Sequence, residues 1–501
     1  MSPYRVIMVS TLVRTGIVSV WLGLLFLLWQ GGGEQPGSQA ALLLPETHNI
    51  DDSDRREGWT GLYMNGNKVG YSSFHLSPNG RGHRWTDRSL LRLRVMGSNQ
   101  TIRAETFAEL DENYALHSFR VRLQSGVGPF QIRGEVADEQ LSVELDLGSQ
   151  TDWRTFPLEG PIFLPSAIRL QIAESGMRAG AHTVASVFDP ASMSAQPMTV
   201  DTIGLESLDS AEGKVRAWKV VEFYRGIQTT VWLDRHGNVL REEGPMGLVA
   251  VRESADRATA GGWPEKSLVD LMEVVAIPID RPIDSPRALG TLRVELGGLG
   301  ELAPPSDQRQ SLQGTFMQIR REDGAAQATY QLPYREGPWA KDLAASAFVQ
   351  SDHPKLRRTA ARILAGEIDA RKASVRLRRW VYDSLEKRAV ASIPNALQVL
   401  EMGVGDCNEH AVLYAGLARA SGLPARVIAG IVYAEGVFLY HAWNEVWLGS
   451  GWVSVDAAFD QMPVDATHIK LLTGEPDQHL GLVPVIGKLS IDVIEADGRS
   501  G

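Results

Sequence analysis

The chain has 501 residues, 44% of them hydrophobic and 22% charged, with a formal net charge of −10 at pH 7. That length allows about two to four domains with cores of their own, and the composition is that of a globular protein. The negative balance excludes nucleic-acid binding by bulk charge, and the single cysteine, Cys407, excludes an intrachain disulfide.

Arg5 and Arg14 precede an apolar run from Thr15 to Trp29, and Gly31-Gly32-Gly33 follow it. Cations before a short apolar run predict a signal peptide or membrane anchor over residues 1–33. With Val6 to Thr11 counted, the stretch nearly reaches the roughly 20 helical residues that span a bilayer, Arg14 being an unfavourable guest there. Ser38-Gln39-Ala40 offers small residues for cleavage. Either outcome places the bulk of the chain in the cell envelope, periplasmic or extracellular and held to the membrane, or secreted if the signal is removed. No cysteine follows the apolar run, so a bacterial lipoprotein anchor is excluded. Residues 34–56 are polar and acidic, with Asp51-Asp52-Ser53-Asp54, and read as a linker.

A period of two begins at Trp59. Leu91, Leu93 and Val95 alternate with Arg92 and Arg94. Phe119, Val121 and Leu123 alternate with Arg120 and Arg122, and Leu141, Val143, Leu145 and Leu147 alternate with polar residues. Such runs predict half-buried antiparallel strands, with turns at Asn65-Gly66 and Asp234 to Gly237. Residues 57–255 are therefore expected to form an antiparallel β-rich domain without a catalytic motif. Its role is structural or partner-docking, although a large curved sheet can hold a ligand on its covered face. Residues 256–340 read as a smaller β-rich connecting region, with a loop at Pro304-Pro305 and a hairpin at Asp323-Gly324.

From Asp352 the spacing turns helical: Ala360, Ala361 and Leu364 on one helix, Val375, Trp380, Val381 and Leu385 on a second. Their many cations, among them Lys355, Arg357, Arg358, Arg376, Arg378 and Arg379, are expected to form a solvated face paired with carboxylates. An anionic surface, membrane or acidic glycan, is the alternative partner.

The chemistry concentrates between Gly403 and Asp460. Gly403-Val404-Gly405-Asp406-Cys407 leads into a helix with Asp406 as N-cap and Glu409 completing a capping box. Ala411, Tyr414, Ala415 and Ala418 give it a face, and it stops at Gly422 before Pro424. Cys407 is thus expected in the first turn, where the macrodipole favours a thiolate. Further on, Leu448-Gly449-Ser450-Gly451 suits a two-residue type II′ hairpin. Counting back from it sets Asp456 opposite Trp443 and makes His441 a diagonal neighbour on the same face. Ala442, Val446, Leu448, Val453, Val455 and Ala457 fall on the other, core-facing side, with Asn444 among them. Trp443, Trp447 and Trp452 share the face of His441, lining a cleft or packing helices above it.

Gly-Asp-Cys with Glu409 and His410, His-Ala-Trp-Asn-Glu at 441–445, Val455-Asp456 and Leu423-Pro424-Ala425-Arg426-Val427 resemble the bacterial branch of the transglutaminase-like superfamily. The resemblance covers about residues 350–470. It implies an α+β, papain-like core within a 341–490 domain, following the β-rich domain and the N-terminal signal or anchor. It also implies a catalytic triad of Cys407, His441 and Asp456 in a cysteine peptidase, amidase or acyl-transferring transglutaminase acting on a protein or peptide. Ala457-Ala458 departs from the Pro-Thr common in the family at that point. The reading of the residues agrees: a thiol, a base and an orienting carboxylate attack an amide, with the Cys407 N–H as one oxyanion donor. No cofactor and no nucleic-acid partner is expected. A catalytically inactive envelope-assembly module is the main alternative. A metal site of His410, His441 and Asp456 is a weak third, unsupported by any metal-binding spacing.

Overall fold

In the computed structural model the described residues run from 56 to 498, except 96–97, 126–127, 147–150, 190–193, 211–212, 261–267, 323–329, 336 and 389–394. The expected signal or anchor at 1–33, nearly all of the 34–56 linker and the Asp323-Gly324 turn lie outside them. No helix among the described residues is long and apolar enough to cross a membrane. The chain divides between Asp270 and Leu271 into two compact units, so the region 256–340 is not a connector of its own. Its C-terminal part belongs to the second unit for a reason no local pattern shows. Leu289–Gly297 pairs with Ser490–Gly498, and Ile277–Pro278 with Val437–Trp447.

The first unit is built on a fifteen-stranded sheet. Eight strands from Arg56–Met64 to Thr151–Pro157 follow one another as antiparallel neighbours, and six from Ala181–Asp189 to Leu248–Glu253 do the same. Leu248–Glu253 then pairs with Arg56–Met64 and joins the two meanders. Ile162–Phe163 supplies the parallel edge on Ala181–Asp189. The alternating runs bury as expected: Leu91, Leu93 and Val95 are fully enclosed while Arg92 and Arg94 reach outward. At the first hairpin Asn65 (φ 50°) and Gly66 (φ 77°) are both left-handed, as a type I′ turn requires. The helix Pro165–Glu174 packs Ala167 and Leu170 into a core with Leu76, Trp85 and Phe119. Its buried Arg169 forks onto Glu222 (2.7 and 2.8 Å) and reaches Glu242 at 2.8 Å.

The second unit sets helices against a five-stranded sheet containing Ala425–Ala434, Val437–Trp447, Trp452–Val455 and Ile469–Thr473. A separate four-stranded sheet runs Gln310–Gln313, Phe316–Arg320, Leu289–Gly297, Ser490–Gly498. The helix Cys407–Ala420 lies at the centre. Pro354–Leu364, Ala370–Ser384 and Ala396–Met402 surround it, it packs on Val437–Trp447, and it is buried along almost its whole length. Its outer neighbours carry the cations, which pair largely in solvent: Lys355 with Glu401 (2.8 Å) and Arg379 with Asp383 (2.9 Å). This is the solvated basic face; pairs so exposed contribute at most about 1 kcal/mol each.

Candidate active site

Two loops and one hairpin position the site. Gly403 caps the preceding helix in the left-handed region (φ 65°), and Asp406 starts the next one. The capping box forms as the residue types dictate: Asp406 Oδ1 accepts from Asn408 N at 3.0 Å, and Glu409 Oε2 from Asp406 N at 2.9 Å. Gly405 makes room for it, since a Cβ at that position would sit 2.2 Å from that of Glu409. Cys407 is consequently the first residue of the helix, with its side chain 0% exposed. The N–H of Ala442, the residue after His441, donates toward the sulfur. Asn408 Nδ2 lies 3.3 Å from it.

The hairpin has the expected register. Leu448 N donates to Gly451 O at 3.0 Å, and Trp447 faces Trp452, Val446 Val453, Glu445 Ser454 and Asn444 Val455. Gly449 takes the positive φ (93°) that a type II′ turn needs at its first position. Asp456 then leaves the ladder and pairs with Gln461 through both backbone bonds, 2.9 and 3.0 Å. Its carboxylate still meets His441: Oδ2 lies 2.7 Å from Nε2. The other oxygen accepts from the N–H groups of Ala458 (2.7 Å) and Phe459 (2.9 Å), so the departure at Ala457-Ala458 preserves the loop's donors. The His441 ring is stacked on Phe459 at 4.6 Å and lies 6.0 Å from Trp443. The side of the strand that carries His441 is buried too: His441 and Trp443 are 3% and 1% exposed. Trp447 and Trp452 instead form an aromatic cluster with Trp339, at 5.1 and 5.2 Å from its ring.

The motif residues beside the site are structural. Asn444 Nδ2 donates to Ala411 O at 3.0 Å, tying the strand to the helix. Glu445 accepts from Arg426 (2.8 Å) and from the buried Lys470 (2.6 Å). His410 makes its hydrogen bond elsewhere: its Nδ1 donates to Asp406 O at 2.6 Å. Burial pushes its pKa down to about 4, against the pull of that bond.

A residue outside every sequence motif completes the arrangement. His468 bridges two carboxylates, Nε2 3.2 Å from Asp456 Oδ2 and Nδ1 3.3 Å from Asp465 Oδ1, all fully buried. An Asp-x-x-His spacing just before a strand is the only trace it leaves in the sequence. Burial opposes the charge of His468, but Asp465 and the bonds to both carboxylates raise its pKa above the ordinary value. Burial alone would raise the Asp456 carboxyl; the charge and hydrogen bond of His441, joined by those of His468, hold it far below the usual range. Asp465 is lowered to about 2, against its burial, chiefly by the charge of His468. His441, Asp456 and His468 place donor atoms within 4.8 Å of one another. Hydrogen bonds already join those atoms, and a cation there would have to displace their protons. His410 is not among them, so the His410–His441–Asp456 grouping weighed as a weak third reading is not the one found among the described residues.

The thiol departs from expectation. Burial pushes the Cys407 pKa well above the ordinary value, and the negative charge of Asp406 adds to the rise; the Ala442 N–H works against it. A helix N-terminus is worth only about 0.3–1 kcal/mol to an anion at exposed sites, too little to outweigh enclosure of this kind.

Residues 357–457 match the family model described as the transglutaminase-like superfamily, and the chain carries a transglutaminase-like core there. Solved structures similar to the chain include a Cytophaga hutchinsonii protein described as a candidate cysteine protease. It is 17% identical, over 43% of this chain and 88% of that one, with a TM-score of 0.30. A candidate protease from Parabacteroides distasonis is 10% identical, over 68% and 64%, with a TM-score of 0.19. A β-barrel-like protein of unknown function from Brucella abortus is 12% identical, over 40% and 95%, with a TM-score of 0.32. No curated protein matches the sequence.

Proposed function

We propose that the transglutaminase-like core is a thiol enzyme that cleaves or transfers amide groups of a protein or peptide through Cys407, His441 and Asp456. The observation that carries this reading is the fully enclosed 2.7 Å bond between His441 Nε2 and Asp456 Oδ2. It lies next to the backbone that contacts the sulfur of the chain's single cysteine. Because the carboxylate accepts at Nε2, that nitrogen carries the proton, and Nδ1 is the atom through which His441 exchanges a proton with the thiol.

The resting thiol is protonated. As a carbonyl carbon arrives, His441 takes the proton, the sulfur–carbon bond forms and the carbonyl electron pair moves onto oxygen. The Cys407 N–H and Asn408 Nδ2 are the donors for that oxyanion. Collapse breaks the carbon–nitrogen bond, and the amine departs with the proton from His441. Water attacking the thioester gives hydrolysis; a primary amine gives transfer. Both restore the thiol. The Arg5–Arg14 segment before the apolar run supports an exported location for this chemistry.

The test is alkylation of the folded protein by iodoacetamide near neutral pH. His441→Ala should slow labelling of Cys407 at least about tenfold, by removing the base that accepts its proton. Equal rates in wild type and variant would leave the inert assembly module as the better reading.

A further inference from the structure

The covered face of the fifteen-stranded sheet holds a second concentration of chemistry, within the first unit. Register places Asp87 opposite Phe74, and Phe74 opposite Gly58. Trp85, two residues from Asp87, shares its face, and its ring stacks on Phe74 at 5.2 Å with the planes 4° apart. The helix Pro165–Glu174 brings Ser166 over this face, and the turn before Val239–Glu243 brings Asn238. Together these residues line a cavity of about 70 Å³. The missing side chain of Gly58 helps keep the ring of Phe74 in place: a Cβ there would come within 2.5 Å of the Phe74 Cε1.

Three oxygens of this lining, Asp87 Oδ2, Ser166 Oγ and Asn238 Oδ1, are buried with no hydrogen-bond partner among the described residues, beside a single buried donor in the same state, Trp85 Nε1. Asp87 is 1% exposed and Ser166 6%. A lone buried acceptor costs about 1–3 kcal/mol, so three around one cavity point to a donor-rich occupant. The two arginines that line the cavity are committed elsewhere, Arg169 to Glu222 and Glu242 and Arg252 to Asp234 at 3.5 Å. Asp87 therefore has no counter-charge; burial pushes its carboxyl well above the ordinary range, opposed only in part by the indole of Trp85. An anion would meet the Trp85 Nε1 donor and the Ser166 hydroxyl, but it would lie against the Asp87 carboxylate with both arginines engaged elsewhere. A small ammonium ion supplies three N–H donors and the missing positive charge, and the stacked rings give its alkyl part an apolar wall and its charge a π face.

We propose that this cavity binds a small primary ammonium ligand, with Asp87, Ser166 and Asn238 accepting its protons and the Phe74–Trp85 stack flanking it. A water-sized group needs roughly 10–15 Å³ of such space, so the cavity admits a ligand of up to about seven non-hydrogen atoms. The test is isothermal titration of the full chain with propylammonium chloride, against 1-propanol as the uncharged analogue. Propylammonium should saturate a single site, and propanol should bind at least about tenfold more weakly. Asp87→Asn, which keeps shape and removes charge, should lose at least about tenfold in affinity. Gly58→Ala, which drives Phe74 into the cavity, serves as a second variant should Asp87→Asn not fold, and it too should weaken binding. No saturation by propylammonium, equal binding of propanol, or wild-type affinity in the variants would overturn the proposal and leave water as the occupant.

Discussion

Replacing His468 by alanine tests whether the chain Asp465–His468–Asp456–His441 acts as a charged unit. His468 is fully buried and meets two carboxylates at 3.2 and 3.3 Å. Removing one member of a buried ion pair costs about 3–5 kcal/mol, because the partner is left unpaired. These contacts are longer than the roughly 2.7–2.9 Å of the strongest charged hydrogen bonds, so a loss near 3 kcal/mol is expected at pH 6. The pH dependence separates charge from lost ring volume. The folded-state pKa of His468 is raised, so its contribution is fully present below the unfolded value of about 6.5 and disappears as pH rises through the folded value. Asp465 is lowered to about 2. Its contribution is present above about 3.9 and is lost as pH falls through about 2. The stability difference between wild type and variant should therefore be largest between about pH 4 and 6.5 and shrink on both sides. Urea unfolding measures it, with Trp443, whose ring lies 5.3 Å from that of His468, among the fluorescent reporters. A difference below about 1 kcal/mol at pH 6, or one that stays flat to pH 9, would show that His468 only fills space.

Glu409 is buried beside Asp406, and burial followed by the Asp406 charge raises its pKa well above the carboxylate range. Its contribution is thus present below the unfolded value of about 4.3 and lost as pH rises. Glu409→Gln keeps an oxygen for the Asp406 N–H and should be as stable as wild type or more so at pH 8, while Glu409→Ala should lose about 1 kcal/mol, both measured by thermal unfolding. Gly422 ends the central helix at φ 78°, and a Cβ there would meet that of Pro333 at 2.3 Å. Gly422→Ala should cost at least about 1–2 kcal/mol in urea unfolding; an unchanged midpoint would contradict the tightness of that corner.

The parts of the site legible in the sequence were those governed by local rules. Asp406, Glu409 and the helix stop at Gly422 follow from capping chemistry. The alternation from Ala442 to Ala457 and the Gly449 turn set a register that reaches Val455 unchanged. Beyond that point the period gives no guidance, because Asp456 steps out of the ladder to pair with Gln461. His468 reaches the site from a loop whose course is set by Arg309, which donates to the carbonyls of Asp465 (2.5 Å) and His468 (3.2 Å). That is a contact across some 160 residues, invisible to any window. Burial was the other blind spot. Alternation along Val437–Trp447 suggested a polar face for His441, yet both faces are covered, and the same enclosure reverses the expected direction for the Cys407 thiol. In the first unit the strands followed from the period of two, but the pairing of Leu248–Glu253 with Arg56–Met64 did not.

The pairing of Leu289–Gly297 with Ser490–Gly498 has a bearing on how this chain is made. Leu292 lies opposite Ala496, and Leu292, Val294 and Leu296 are buried in the completed sheet. A growing chain emerges from its N-terminal end at about 5–20 residues per second. The strand must therefore wait through the synthesis of the helices, of Cys407 and of His441 before its neighbour appears. Throughout that interval an apolar strand has an unpaired edge toward its missing neighbour, the condition in which strands associate with the wrong chain. The first unit faces a comparable wait, because Arg56–Met64 meets Leu248–Glu253 only after both meanders have been made. Truncation anywhere before residue 490 would thus leave the second unit with a permanent open edge.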